Sequence, residues 1–227
     1  MRTAVDRFHF NGAMIVPDAA NVTAGPWGKT VGLGATALNT AEGLALALSA
    51  SSQAENVRVN FADVLSYPID DLIRFDAWVK VSDSLDASVQ VALGMAGAGN
   101  DAIDAIAQAA LFRLVGSNDL VVETDDGAHD NDDVATGLTL GDSFRRLGID
   151  FKTGVQTVSP GPSKGGKASV LFTAENGQGL LRPLLKDTLF DMSAYAGGLQ
   201  PYFQILKTAG AATGTLTIQR VEIEYRY

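Results

Sequence analysis

The chain has 227 residues, enough to bury a large core without covalent staples, and strand-rich sandwiches of this length commonly form one domain. Its 17 Lys and Arg against 26 Asp and Glu leave a net charge of −9, which argues against sequence-independent binding to phosphate backbones or anionic lipid. Cysteine is absent, so disulfides and thiolate chemistry are excluded.

In chain order, charged residues interrupt the first ten positions, so no signal-peptide core is expected there. Residues 17–34 read as loop from their Pro and Gly content. With the preceding segment they are expected to form an arm or clasp, residues 1–34, closed around Trp27, leaving the main domain over 35–227. Leu44, Leu46 and Leu48 alternate along a strand. Val57, Val59 and Phe61 alternate with Arg58 and Asn60, and Phe75, Ala77, Val79 and Val81 alternate with Asp76, Trp78 and Lys80. A period of two puts every second side chain on one face of a sheet. Val89, Val91 and Leu93 continue the pattern. A short helix is predicted over residues 100–108, capped by Asn100 or Asp101, with Ile103 and Ile106 turned inward.

Beyond it, Gly116-Ser117-Asn118-Asp119 joins strands at 110–115 and 120–124 in a hairpin, and residues 125–133 read as an acidic loop. Leu147, Ile149 and Phe151 mark another strand, and residues 159–167 a Pro- and Gly-rich loop. Asn176-Gly177 lies between strands at 170–172 and 180–181, a hairpin signal. Phe203 and Ile205 face opposite to Tyr202, Gln204 and Leu206. In the last strand Leu216 and Ile218 hold one register while Val221, Ile223 and Tyr225 hold the other, which predicts a bulge near Gln219-Arg220. The sum is an all-β antiparallel β-sandwich of the jelly-roll kind, with one short inserted helix. No apolar run approaches the length needed to cross a bilayer as a helix.

Few residues suggest chemistry. Asp125, Asp126, Asp130 and Asp132, with Asp133, could offer hard oxygen ligands to Ca²⁺, although their order is not that of an EF-hand and a solvated acidic face is the alternative. Gly161 to Lys167 has P-loop spacing, but Ala168 stands where magnesium needs Ser or Thr, and a strand follows where a helix is required. His9 and His129 are the only histidines, so a three-histidine zinc site is excluded. Glu123 and Asp125 share a strand face as glycosidase carboxylates would, but Gly127 interrupts the Glu-x-Asp-x-Glu pattern; no catalytic centre and no cofactor beyond the Ca²⁺ are expected. Trp27, Trp78 and Tyr202 are the interaction candidates, joined by Tyr67, able either to stack on sugar rings or to anchor a protein interface.

The stretches Phe75-Asp76-Ala77-Trp78-Val79-Lys80-Val81, Asn100-Asp101-Ala102-Ile103-Asp104, Ala110-Leu111-Phe112-Arg113 and Val121-Val122-Glu123-Thr124-Asp125-Asp126-Gly127 resemble those of tailed-bacteriophage virion proteins with concanavalin-like jelly-roll domains. The resemblance implies a non-enzymatic capsid decoration protein on the outer surface of the virion head, assembled in the host cytoplasm. It would be a homo-oligomer such as a trimer, with the major capsid protein as partner and neither nucleic acid nor membrane. The alternative it implies is a glycan- or receptor-binding module of a tail or baseplate.

Overall fold

The computed structural model describes residues 2–10, 23–24, 26–82, 84–151 and 169–227. Two antiparallel sheets face each other. The smaller contains β1 (Thr3–His9), β4 (Thr36–Asn39), β5 (Leu44–Leu48), β8 (Leu72–Val81), β13 (Arg145–Asp150), β14 (Leu171–Glu175), β15 (Leu181–Pro183) and β17 (Gly214–Arg226). Its order is β15-β14-β13-β8-β17-β5-β4, with β1 also on β17. The larger contains β2 (Thr23–Ala24), β3 (Trp27–Val31), β6 (Glu55–Asn60), β7 (Tyr67–Pro68), β9 (Val89–Ala96), β10 (Ala109–Val115), β11 (Asp119–Asp125), β12 (Asp130–Thr139) and β16 (Gly198–Lys207). Its order is β12-β11-β10-β9-β16-β6-β3-β2, with β7 on the end of β16.

Alternation decides which side chains fill the space between the sheets. Phe75, Ala77 and Val79 of β8 meet Val57, Val59, Phe203 and Ile205 there, all buried. The bulge expected in the last strand is present as a register shift against β8 between Ile218 and Arg220, and it keeps both Ile218 and Val221 in the core. The hairpins at 116–119 and 176–177 form as expected, the first turning through Gly116 at φ +64°, a conformation glycine adopts without a Cβ penalty.

Three local expectations change. The helix over 100–108 is a single 3-10 turn, Ile103–Ala105. A helix would need the carbonyls of Asn100 and Asp101 for its own N–H groups, but Gln204 Nε2 donates to both, at 3.2 and 3.1 Å, and Tyr202 Oη donates to Asn100 O at 3.0 Å. The acidic loop is shorter than expected, since β12 already begins at Asp130. Within the expected arm, β1 pairs with β17 and β3 pairs with β6, so both belong to the sheets; residues 11–22 of that arm, and the loop over 159–167 with its P-loop-like spacing, lie outside the described residues.

Candidate functional site

The outer face of the larger sheet is where polar and apolar groups converge. A strand normally sends its polar half to water, yet Tyr202 and Leu206 of β16, Ala92 and Ala96 of β9, and Leu111 of β10 are buried on that face. The connection between β9 and β10 folds back over it and seats Ile103 and Ile106 on these residues. Spacing of three brings both isoleucines to one side of the 3-10 turn. A polar network pins the connection: Gln204 Nε2 also donates to Asn56 Oδ1 at 2.8 Å, and Asn56 Nδ2 donates to Asp101 Oδ1 at 3.0 Å.

Beside this plug lies a depression of about 580 Å³. Leu33, Ile103 and Leu206 supply apolar surface, and Asn56, Asp101 and Asp104 bring polar groups. The Asp101 and Asp104 side chains are largely exposed, so their carboxylate oxygens can accept from a ligand as well as from the protein.

Next to the depression, one buried guanidinium gathers four carboxylates. Arg113 of β10 hydrogen-bonds Glu123 across the hairpin and Asp104 from the plug, with Asp133 at 3.2 Å and Asp132 at 3.8 Å. Burial pushes the Glu123 carboxyl up against the opposing pull of Arg113, and burial also raises Asp133. Four acids for one base leave this patch negative.

The four aspartates expected to form a calcium loop do not converge. Asp125 and Asp130 pair across the mouth of the β11–β12 turn, and Asp125 Oδ1 is taken by the Gly127 N–H at 2.7 Å. Asp132 joins the Arg113 cluster. Asp126 turns the other way and accepts from the backbone N–H groups of Ala128, His129 and Ala194, at 2.9, 2.7 and 2.8 Å, and contacts His129 Nδ1 at 3.1 Å. Asp130 and Asp132 stand two apart on β12 with Asp125 opposite Asp130, so these three share a strand face, and the tight turn before β12 is what sends Asp126 elsewhere. The groups brought close are instead Asp126, His129 and Asp191, and separately Glu123, Asp132 and Asp133, each with potential ligand atoms within 4.8 Å of one another. Arg113 already supplies the countercharge in the second.

Asp126 holds the loops at this end of the sandwich together. Burial alone would raise its pKa, but the hydrogen bonds from His129, Ala128 and Ala194 outweigh that and bring it down to about 2. A carboxyl depressed in the folded state stabilises above its unfolded value, 3.8, and that stabilisation disappears as pH falls through 2. Asp126→Asn should therefore cost about 2 kcal/mol at pH 7 and nearly nothing at pH 2, checked by denaturant titration at both.

Of the interaction candidates, two are corrected. Trp27 is fully buried, with Phe61 and Phe8 edge-on at 4.7 and 5.2 Å between ring centroids, and has no face to offer a partner. Tyr202 is fully buried beneath the plug. An indole or phenol ring on an otherwise apolar face is drawn into the core by its area. Trp78 lies on the outer face of the smaller sheet, where Arg146 and Arg220, directly opposite on the flanking strands, stack on its ring at 4.7 and 4.6 Å. Arg113 and Asn56 were missed in the sequence; the signal for Arg113 is a lone cation inside an apolar strand, which must find carboxylates when buried.

No family model and no curated protein matches the chain. Solved structures do. A protein of unknown function from Shewanella oneidensis MR-1 superposes with a TM-score of 0.61 at 10% identity, covering 98% of this chain and 86% of that one. Peanut lectin gives 0.57 at 9% identity, covering 100% and 98%. The Crh5 transglycosylase gives 0.56 at 12% identity, covering 98% and 85%. At such identity the likeness establishes the fold alone, a concanavalin-like sandwich.

Proposed function

We propose that this chain is a non-enzymatic glycan-recognition module. The observation that carries the reading is the depression on the outer face of the larger sheet, where the exposed Leu33, above the buried Ile103 and Leu206, lies beside the acceptors Asp101 and Asp104. A pyranose has the same two characters, a C–H face that packs on apolar surface and a rim of hydroxyls that donate to carboxylates. Lectins among proteins of like fold support the reading.

Catalysis is not part of the proposal although a transglycosylase shares the fold. A carboxyl pair working on a glycosidic bond needs both groups free to reach it. Here Glu123 is bound by Arg113 and is nearly inaccessible. A glycan array probed with the whole chain should give saturable hits, and Leu33→Asp and Asp101→Ala should each weaken them about tenfold without altering the thermal transition beyond about 1 kcal/mol. An array without hits, or variants that bind as the parent does, would overturn the assignment.

A second reading, decoration of a virion head, is favoured by the exposed Val64 and Leu65. They follow Ala62 and Asp63, both held at positive φ, and present apolar side chains suited to a protein partner. Cryo-electron microscopy of particles carrying the chain tests it by the position of its density, on the shell or elsewhere.

A further inference from the structure

A second pocket, of about 400 Å³, opens where the edges of the two sheets meet at β1, and it shares no residue with the depression described above. Its walls are rings. Phe8 lies edge-on to Phe61 at 5.7 Å, Phe61 stands 6.0 Å from Tyr67, and Tyr67 lies edge-on to Tyr225 at 5.2 Å between centroids. Pro26 adds to the mouth. Phe61 and Tyr67 are buried, whereas Phe8 and Tyr225 are half-buried, so the ring lining reaches from the core to solvent.

Two charged residues line the pocket, Asp6 and Arg7, and of these Asp6 is the one set among the rings. Alternation along β1 turns Ala4, Asp6 and Phe8 inward and leaves Val5, Arg7 and His9 exposed. Asp6 thus faces the pocket, where the Tyr67 hydroxyl donates to Oδ2 at 2.7 Å and the Tyr225 hydroxyl bonds the same carboxyl. Arg7 is turned to the outer face and pairs with Glu222 at 2.7 Å. Among the described residues no cationic side chain pairs with Asp6. Burial, and then the Asp6 charge, push both tyrosine hydroxyls up, so they remain neutral donors and cannot neutralise the carboxylate.

We propose that this pocket binds an alkylated ammonium group, with Asp6 as its counter-charge and the rings of Phe8, Phe61, Tyr67 and Tyr225 as its walls. A quaternary ammonium is weakly hydrated and is attracted by the negative faces of aromatic rings, most strongly where water is excluded. A carboxylate at the wall adds a term that a neutral ligand does not receive. The net charge of −9 favours the approach of a cation. A sugar could pack on the same rings, but would gain nothing from the charge of Asp6.

The test titrates the whole chain with choline and, in parallel, with 3,3-dimethyl-1-butanol, its uncharged isostere, following heat and tryptophan fluorescence, to which Trp27 contributes with its ring 5.2 Å from that of Phe8. Choline should saturate, the isostere should bind about tenfold more weakly, and Asp6→Asn and Tyr225→Leu should each weaken choline about tenfold. Choline and isostere binding alike, choline unaffected by Asp6→Asn in a folded variant, or no saturation by choline or by choline-headgroup vesicles would overturn the proposal. The isostere comparison uses the unaltered protein, so it stands even if a variant fails to fold. Binding to phosphatidylcholine vesicles but not to free choline would identify a lipid headgroup as the source of the cation, and the reverse a soluble one.

Discussion

Replacing Lys207 with Met is expected to lower stability by about 3–5 kcal/mol, because it leaves a buried carboxylate without its counter-charge and three carbonyls without their donor. The Lys207 side chain is fully buried, and its Nζ donates to the carbonyls of Ser49, Ser51 and Ala212, at 2.6, 2.6 and 3.1 Å. Glu55, equally buried, lies 3.6 Å from the same Nζ and accepts from the Ser49 backbone N–H at 2.7 Å and from the hydroxyls of Ser49 and Ser51. Burial would raise the Glu55 pKa, but those bonds and the lysine charge bring it below its usual value. The pair thus stabilises above the ordinary glutamate range and loses that contribution as acid protonates Glu55. Urea unfolding at pH 7 measures the loss, and the double variant Lys207→Met, Glu55→Gln should recover part of it, since no charge is then left unpaired. A single-variant loss under about 1 kcal/mol would mean that water reaches the pair.

Arg113→Met should have an effect of similar size, relieved by acid. Among the described residues it removes the only base paired with Glu123, Asp104, Asp132 and Asp133, and Glu123 stays buried. About 3–5 kcal/mol should be lost at pH 7. Burial already raises Glu123 with Arg113 present, and removing the guanidinium takes away the opposing pull. A carboxyl raised in the folded state is destabilising above its folded pKa, and that penalty vanishes as pH falls below its unfolded value. The variant should therefore regain stability between pH 7 and pH 4, visible as a rising unfolding midpoint. A variant midpoint that falls along with that of the parent would show that Glu123 is solvated.

The sandwich was legible because alternation is a local property. Phe203 and Ile205 against Tyr202 and Leu206 predicts two faces whatever their partners are. What alternation cannot tell is whether the second face meets water. Tyr202 looked like a surface aromatic because the segment that covers it, carrying Ile103 and Ile106, is nearly a hundred residues away in sequence. The same separation made residues 100–108 look helical, since their capping signals are real but the carbonyls they would use are bonded by Gln204. Trp27 was placed in an arm because Pro and Gly surround it, yet its area alone argues for burial. The aspartates of 125–133 were read together from adjacency along the chain, whereas direction along a strand and through a turn is what sorts side chains in space. The depression and the ring-lined pocket draw on four or more separate segments each, which no local pattern could have assembled.

The position of β16 and β17 constrains the order in which the protein can be built. These two strands follow all the others described, yet each lies inside its sheet, β16 between β9 and β6 and β17 between β8 and β5. Until residues 198–226 emerge, β5, β6 and β1 cannot take up their final neighbours, and both halves carry unsatisfied backbone edges. Synthesis therefore runs ahead of closure: the sandwich completes only once residues 198–226 have been made, through contacts between distant parts of the chain, a topology that favours slow folding and leaves nascent strands open to aggregation meanwhile. Removing the last thirty residues would take the middle out of both sheets at once, while trimming a peripheral strand such as β15 would spare them.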